Sequence, residues 1–230
     1  MKKILVVAGL IAFSQAASAH TGLLPTGGFG HGFVHPFLGL DHFLAMLGLG
    51  LWASSQSRLL AWQAIGVFLI FMIVGALFGL SGVGFAYVET AILVSLLLVG
   101  VALSFGTTQI VLTLQRTLWG INGNSVRNAP ALRQRDAGAS DTAFPRWSVG
   151  TIIILASIAA FASMHGLAHG SEMPLDASAY AYVVGIIAAT ALLHVSGFML
   201  GLFAQRANAA ALLRIYGTLT GMVGAWLLFA

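Results

Sequence analysis

The stretch LLAWQAIGVFLIFMIVGALFGL, residues 59–80, holds no charged side chain. As a helix it would be about 33 Å long, enough to cross the hydrocarbon core of a bilayer. It has no polar face to offer water on any side. Stretches of the same kind recur near 36–53, 84–105, 148–169, 179–203 and 208–229. Together they predict an all-α membrane protein, a polytopic bundle of about six transmembrane helices that follows a cleaved signal peptide.

Composition says the same. Apolar residues make up 59% of the 230 and charged residues only 7%, against about 25% in a soluble domain. So few charges cannot cover a water-facing surface. There is no cysteine, which excludes disulfides, thiolate metal sites, iron–sulfur clusters and a cysteine nucleophile. The net charge of +4 does not point to nucleic acid. Its basic residues are scattered and read as topology signals.

The first nineteen residues form a unit of their own. Lys2 and Lys3 precede a short apolar run, Ile4 to Phe13, and Ala17-Ser18-Ala19 fits the A-x-A cleavage rule. Cleavage after Ala19 would leave His20 as the mature N-terminus, outside the cytoplasm, in a single helical domain over 20–230. The glycine-rich stretch 20–35 reads as loop, with Pro36 in the first turn of the first span. Six spans then place the loops 54–58, 106–147 and 204–207 in the cytoplasm. Arg58, Arg116, Arg127, Arg133, Arg135, Arg146, Arg206 and Arg214 all fall in or near those loops, as the positive-inside bias expects. The localisation implied is a bacterial inner membrane. Segment 106–147 is the one long polar connection and reads as flexible. Gly75/Gly79, Gly197/Gly201 and Gly217/Gly221 are spaced by four, which lets helix backbones approach closely in lipid.

Ionisable residues inside spans are costly and mark sites or pathways. Here they cluster. His35-Pro36-Phe37-Leu38-Gly39-Leu40-Asp41-His42 puts two imidazoles seven apart, on one face if the helix is regular. Met46 extends that face, and Asp41 points elsewhere, so it could reach a neighbouring helix to help hold an ion or accept a hydrogen bond behind a ligand. His165 and His169 are four apart, a common chelating spacing, and Glu172 follows. Glu89 lies near the start of the third span. His194 lies about 22 Å below the outer end of the fifth, as a second station nearer the cytoplasm. His20, with a free α-amino group after cleavage, and His31, in the loop, could capture ions outside. An imidazole and carboxylate set suits a borderline divalent cation: Ni, Co, Zn or Cu(II). Paired histidines could instead hold haem iron.

The two histidine segments resemble the signatures of the HupE/UreJ family of bacterial nickel/cobalt permeases. Residues 35–42 look like H-P-x-x-G-x-D-H. His165-Gly166-Leu167-Ala168-His169-Gly170-Ser171-Glu172 looks like H-G-x-A-H-G-x-E. The leader, the outer histidine and the glutamate of the third span fit too. Met164 stands where an aromatic residue is expected, and the 106–147 loop is longer than usual. The resemblance implies uptake of nickel, or of cobalt, for metalloenzymes such as hydrogenase or urease. The metal would be cargo rather than a resident cofactor, and hand-over to cytoplasmic metallochaperones would follow.

No lysine occurs after Lys3, so there is no Walker A motif and the chain is not its own ATPase. The expectation is a secondary transporter or facilitator, not an enzyme. Two other readings remain. A membrane metal sensor or chaperone would bind the ion without moving it. A rhomboid-like protease would pair Ser81 of Gly79-Leu80-Ser81-Gly82 with His194.

Overall fold

The computed structural model describes residues 28–106 and 149–229. The expected leader, its cleavage after Ala19, His20, and the arginines of the long loop lie outside the described residues. Within them the chain forms seven helices: α1 Gly28–Leu38, α2 Leu40–Ala53, α3 Arg58–Leu80, α4 Val88–Phe105, α5 Val149–Ser171, α6 Ala179–Arg206 and α7 Ala210–Phe229. No strand occurs among the described residues. Five helices, α3 to α7, are long and apolar enough to cross a membrane, and α1 with α2, bent by 82° at the break between them, make a sixth when the pair is counted as one span. The chain is therefore an all-helical, multi-pass membrane protein.

Local chemistry sets the helix ends. The Ser57 and Ser178 hydroxyls accept from Leu60 and Ala181 N–H at 3.4 and 3.5 Å, capping α3 and α6. Gly106, at φ 76°, ends α4 in a conformation that a β-carbon disfavours. Asn208, at φ 54°, makes the tight turn between α6 and α7, where the Ala209 N–H reaches the Ala204 carbonyl at 2.8 Å.

The start of the first span differs from the sequence expectation. Residues 28–35 are helical, not loop, so His31 and His35 sit on α1 and Pro36 lies inside its last turn rather than in a first turn. Glycine density marks loops in water, but here it serves packing. A Cβ on Gly32 would run into the Tyr182 carbonyl, and one on Gly185 into the Phe29 carbonyl. Without them α1 lies flat on the start of α6. Pro36 removes an N–H from the end of α1, and the helix stops two residues later. Gly39 adopts an extended conformation (φ −84°, ψ 115°), and α2 begins in a new direction.

Packing resolves into three units. The densest contacts join α3 to α5, α4 to α7, and α6 to both α1 and α2. The first and last are parallel associations, and α4 with α7 is antiparallel. In the α3·α5 pair glycines interlock from both sides. A Cβ at Gly166 would meet the Met72 carbonyl, and one at Gly75 the Ser163 carbonyl. The expected Gly197 and Gly217 contacts also form, against α2 and α4.

Charge divides the bundle along its axis. Arg58, Arg206 and Arg214 gather at one end. Asp41, Glu89, Glu172 and Asp176 all lie at the other, with every described histidine except His194 in that half.

Candidate metal centre

The bend at Gly39 builds the site. It brings His35, in the last turn of α1, and His42, in the first turn of α2, to face one another with ring centroids 6.2 Å apart. The expectation that the two share one face of a regular helix is thus corrected: a break joins them. From α5, the His169 ring lies 4.9 Å from His35 and 4.7 Å from His42, and the His165 ring lies 5.3 Å from His42. Glu172 continues the last turn of α5 through its N–H to the Ala168 carbonyl at 3.1 Å. Its Oε2 meets His35 Nε2 at 3.0 Å. That imidazole holds the Glu172 carboxyl below the usual carboxylate range.

The hydrogen bonds settle which ring nitrogens are free. His42 Nδ1 pairs with Asp41 Oδ1 at 2.9 Å, and the same oxygen accepts the His42 backbone N–H at 2.8 Å. His165 Nδ1 faces the Phe161 carbonyl at 2.9 Å. A carbonyl only accepts, so Nδ1 of His165 carries the proton and Nε2 keeps its lone pair; the Asp41 carboxylate favours the same tautomer in His42. In both residues Nε2 is buried without a hydrogen-bond partner, and in His169 both nitrogens are. Buried polar atoms are nearly always paired. A neutral imidazole keeps one lone pair, so His42, His165 and His169 gather three lone-pair nitrogens at one place, a set chemically apt for a cation.

His35, His169 and Glu172 offer donor atoms all within 4.8 Å of one another. An ion about 2.1 Å from each donor needs them no more than about 4.2 Å apart, so a small closure suffices. His42 is 7% exposed, and His165 and His169 are fully buried. Glu172 is half exposed, giving the cluster one wet edge. Asp41 turns toward its neighbour His42 rather than toward another helix. It fixes His42 and adds charge without needing to touch an ion.

The other candidates take separate places. Glu89 is exposed in the first turn of α4, within electrostatic reach of Asp41, His42 and Glu172. It lines a cleft of about 230 Å³ with Ala168 and Ser171 of α5. Met46 is fully buried and lies deeper, accepting the Thr190 hydroxyl at 3.3 Å. His194 is also deeper, its Nδ1 held by the Thr190 carbonyl at 2.8 Å. His31 is one turn before His35 on α1. Ser81 caps α3, and its hydroxyl donates to the Phe78 carbonyl at 2.8 Å. Neither Ser81 nor His194 is turned to the other, so no protease dyad forms.

Tyr182 belongs to the site and was not singled out in the sequence. Its ring stands 6.4 Å from His35, it is 1% exposed, and its hydroxyl has no partner. The only sequence signal was an aromatic residue in the first turn of a span.

Fold and site together define a class: a polytopic helical membrane protein with a partly buried imidazole–carboxylate cluster at one end. The family described as HupE / UreJ protein matches residues 8–123 and 144–227, and the chain belongs to that family. It is 29% identical to Protein HupE of Rhizobium leguminosarum bv. viciae over 228 residues, covering 98% of this chain and 97% of that protein. No solved structure matches it.

Proposed function

We propose that the chain is a permease that imports a divalent transition-metal ion, nickel foremost and cobalt second. The observation that carries this reading is the set of unpartnered imidazole nitrogens on His42, His165 and His169 beside the His35–Glu172 pair. Neutral nitrogen donors with one or two carboxylates fit a borderline ion and disfavour calcium or magnesium, which take oxygen sets. Carboxylate charge offsets part of the cost of bringing a dication into low dielectric.

The acidic, histidine-bearing end faces outward in this reading, and the arginine-bearing end faces the cytoplasm of a bacterial inner membrane. His20 and His31 capture the ion, and Glu89 draws it to the cleft. His35, Glu172 and His169 take it first, and His42 and His165 next. Each imidazole must be neutral to bind, so capture releases protons that were held there. His194 assists exit toward cytoplasmic metallochaperones. The chain catalyses no covalent chemistry and takes its driving force from the ion gradient or a coupled ion.

The test is cell metal content, measured by elemental mass spectrometry in a host lacking its own nickel importer. The chain should raise nickel or cobalt, and His42→Ala at equal membrane abundance should abolish the rise. Correct insertion with no change in any metal would refute import and favour a sensor or chaperone.

A further inference from the structure

Below the histidine cluster lies a second group of donors, of which the reading above uses only His194. On α6, Thr190 and His194 stand one turn apart. The Thr190 hydroxyl donates to Met46 Sδ of α2 at 3.3 Å, and it lies 3.5 Å from Met72 Sδ of α3. One small hydroxyl thus gathers two thioethers from two other helices. The Thr190 carbonyl takes the Nδ1 proton of His194 at 2.8 Å, which leaves Nε2 with its lone pair. That Nε2 is buried and has no partner. Met46, Thr190 and His194 are 0% exposed and Met72 is 1% exposed.

A lone histidine on an apolar face is usually satisfied by a neighbour, and methionines usually fill space. Here one ring nitrogen of the histidine is not satisfied, and the two sulfurs converge on the hydroxyl of Thr190, one turn before it on α6. Phe68, one turn before Met72, stands against both levels. Its ring is 5.7 Å from His165 above and 4.8 Å from His194 below. The four acidic side chains of the described residues are all at the histidine end.

We infer that His194 Nε2 with the thioethers of Met46 and Met72 forms an inner station for a borderline transition-metal ion. It rests on the reading of the chain as a metal permease. Its donors are neutral and partly soft, which suits nickel, cobalt or copper and excludes magnesium and calcium. Among the described residues no carboxylate balances the ion there, so the station binds more weakly than the outer one. A dication that leaves the carboxylates therefore meets a site that accepts it without trapping it.

The test uses the full chain, purified in detergent and labelled with selenomethionine, at saturating nickel. X-ray absorption at the nickel edge should show selenium neighbours, and equilibrium dialysis should give two ions per chain, the second weaker. Met46→Leu with Met72→Leu conserves volume and should remove the selenium shell and the weaker ion while keeping the tighter, nitrogen- and oxygen-bound one. Retention of that tighter ion also shows that the variant folds. In vesicles the double variant should slow initial nickel uptake about tenfold. One nitrogen- and oxygen-bound ion in the parent chain, with no selenium neighbour, overturns the inner station and leaves the outer reading standing. A selenium shell that survives the double variant also overturns it. A parent chain that binds no nickel at all overturns both.

Discussion

Asp41 tests how the outer centre works, because two substitutions separate its two contributions. Its Oδ1 accepts from His42 Nδ1 at 2.9 Å and from the His42 backbone N–H at 2.8 Å. Asp41→Asn can keep both hydrogen bonds and loses only the charge. Asp41→Ala loses both and frees the imidazole to rotate. An ion on His42 Nε2 would sit about 7 Å from the carboxylate. A single negative charge at that range attracts a dication by about 5 kcal/mol at an effective dielectric of about 20, and by about 1 kcal/mol at about 80. Asp41 is partly exposed, with 20% of its side chain accessible, so the effect falls between these limits. Supporting carboxylates behind metal-bound histidines are commonly worth 10- to 100-fold in affinity, about 1.4–2.7 kcal/mol, which lies inside that bracket. The expected order of nickel affinity is parent, then Asp41→Asn weaker by about 10-fold or more, then Asp41→Ala weaker again. Isothermal titration in detergent measures it, with metal-free thermal unfolding as the folding control. The reasoning is refuted if both variants bind within twofold of the parent chain.

Other expectations follow from the same geometry. Gly166→Ala places a Cβ against the Met72 carbonyl, so α3 and α5 must part by about 1 Å; nickel affinity should fall and thermal stability should drop by about 1–3 kcal/mol, both read on one purified sample. Tyr182→Phe removes a buried hydroxyl without a partner, and metal-free stability should stay level or rise by up to about 1 kcal/mol, measured by thermal unfolding. Glu172 is held below the usual carboxylate range and so stays ionised at pH 5. Loss of nickel affinity between about pH 7 and 5 therefore belongs to imidazoles that must be neutral to bind, and titrations across that range should show Kd rising as pH falls.

The five unbroken spans were legible because runs of about 20 apolar residues have few alternatives. The break between α1 and α2 in the first apolar run was not. Pro36 suits a helix start as well as a helix end, and only contact with α6 shows that the glycines before it are helical. The histidines and Glu172 were legible because ionisable residues in apolar helices stand out and their spacing implies shared faces. What the sequence hid was the bend that makes His35 face His42. Phe68, Met72, Thr190 and Tyr182 were also hidden, since each resembles dozens of other apolar or weakly polar residues until neighbouring helices are in place.

The helix pairing has a symmetry of its own. Numbering the spans I to VI, with α1 and α2 as I, the close pairs are I with V, II with IV, and III with VI. Exchanging the first three spans for the last three turns I·V into IV·II and returns III·VI to itself, while each span swaps for one of opposite direction. The closest pairs thus follow the pairing pattern of an inverted repeat, an architecture found in many carriers. His35, Asp41 and His42 belong to one of the glycine-knit units and His165, His169 and Glu172 to another. An ion between them would act as a rivet across the seam between those two units, tying its occupancy to how firmly they are joined.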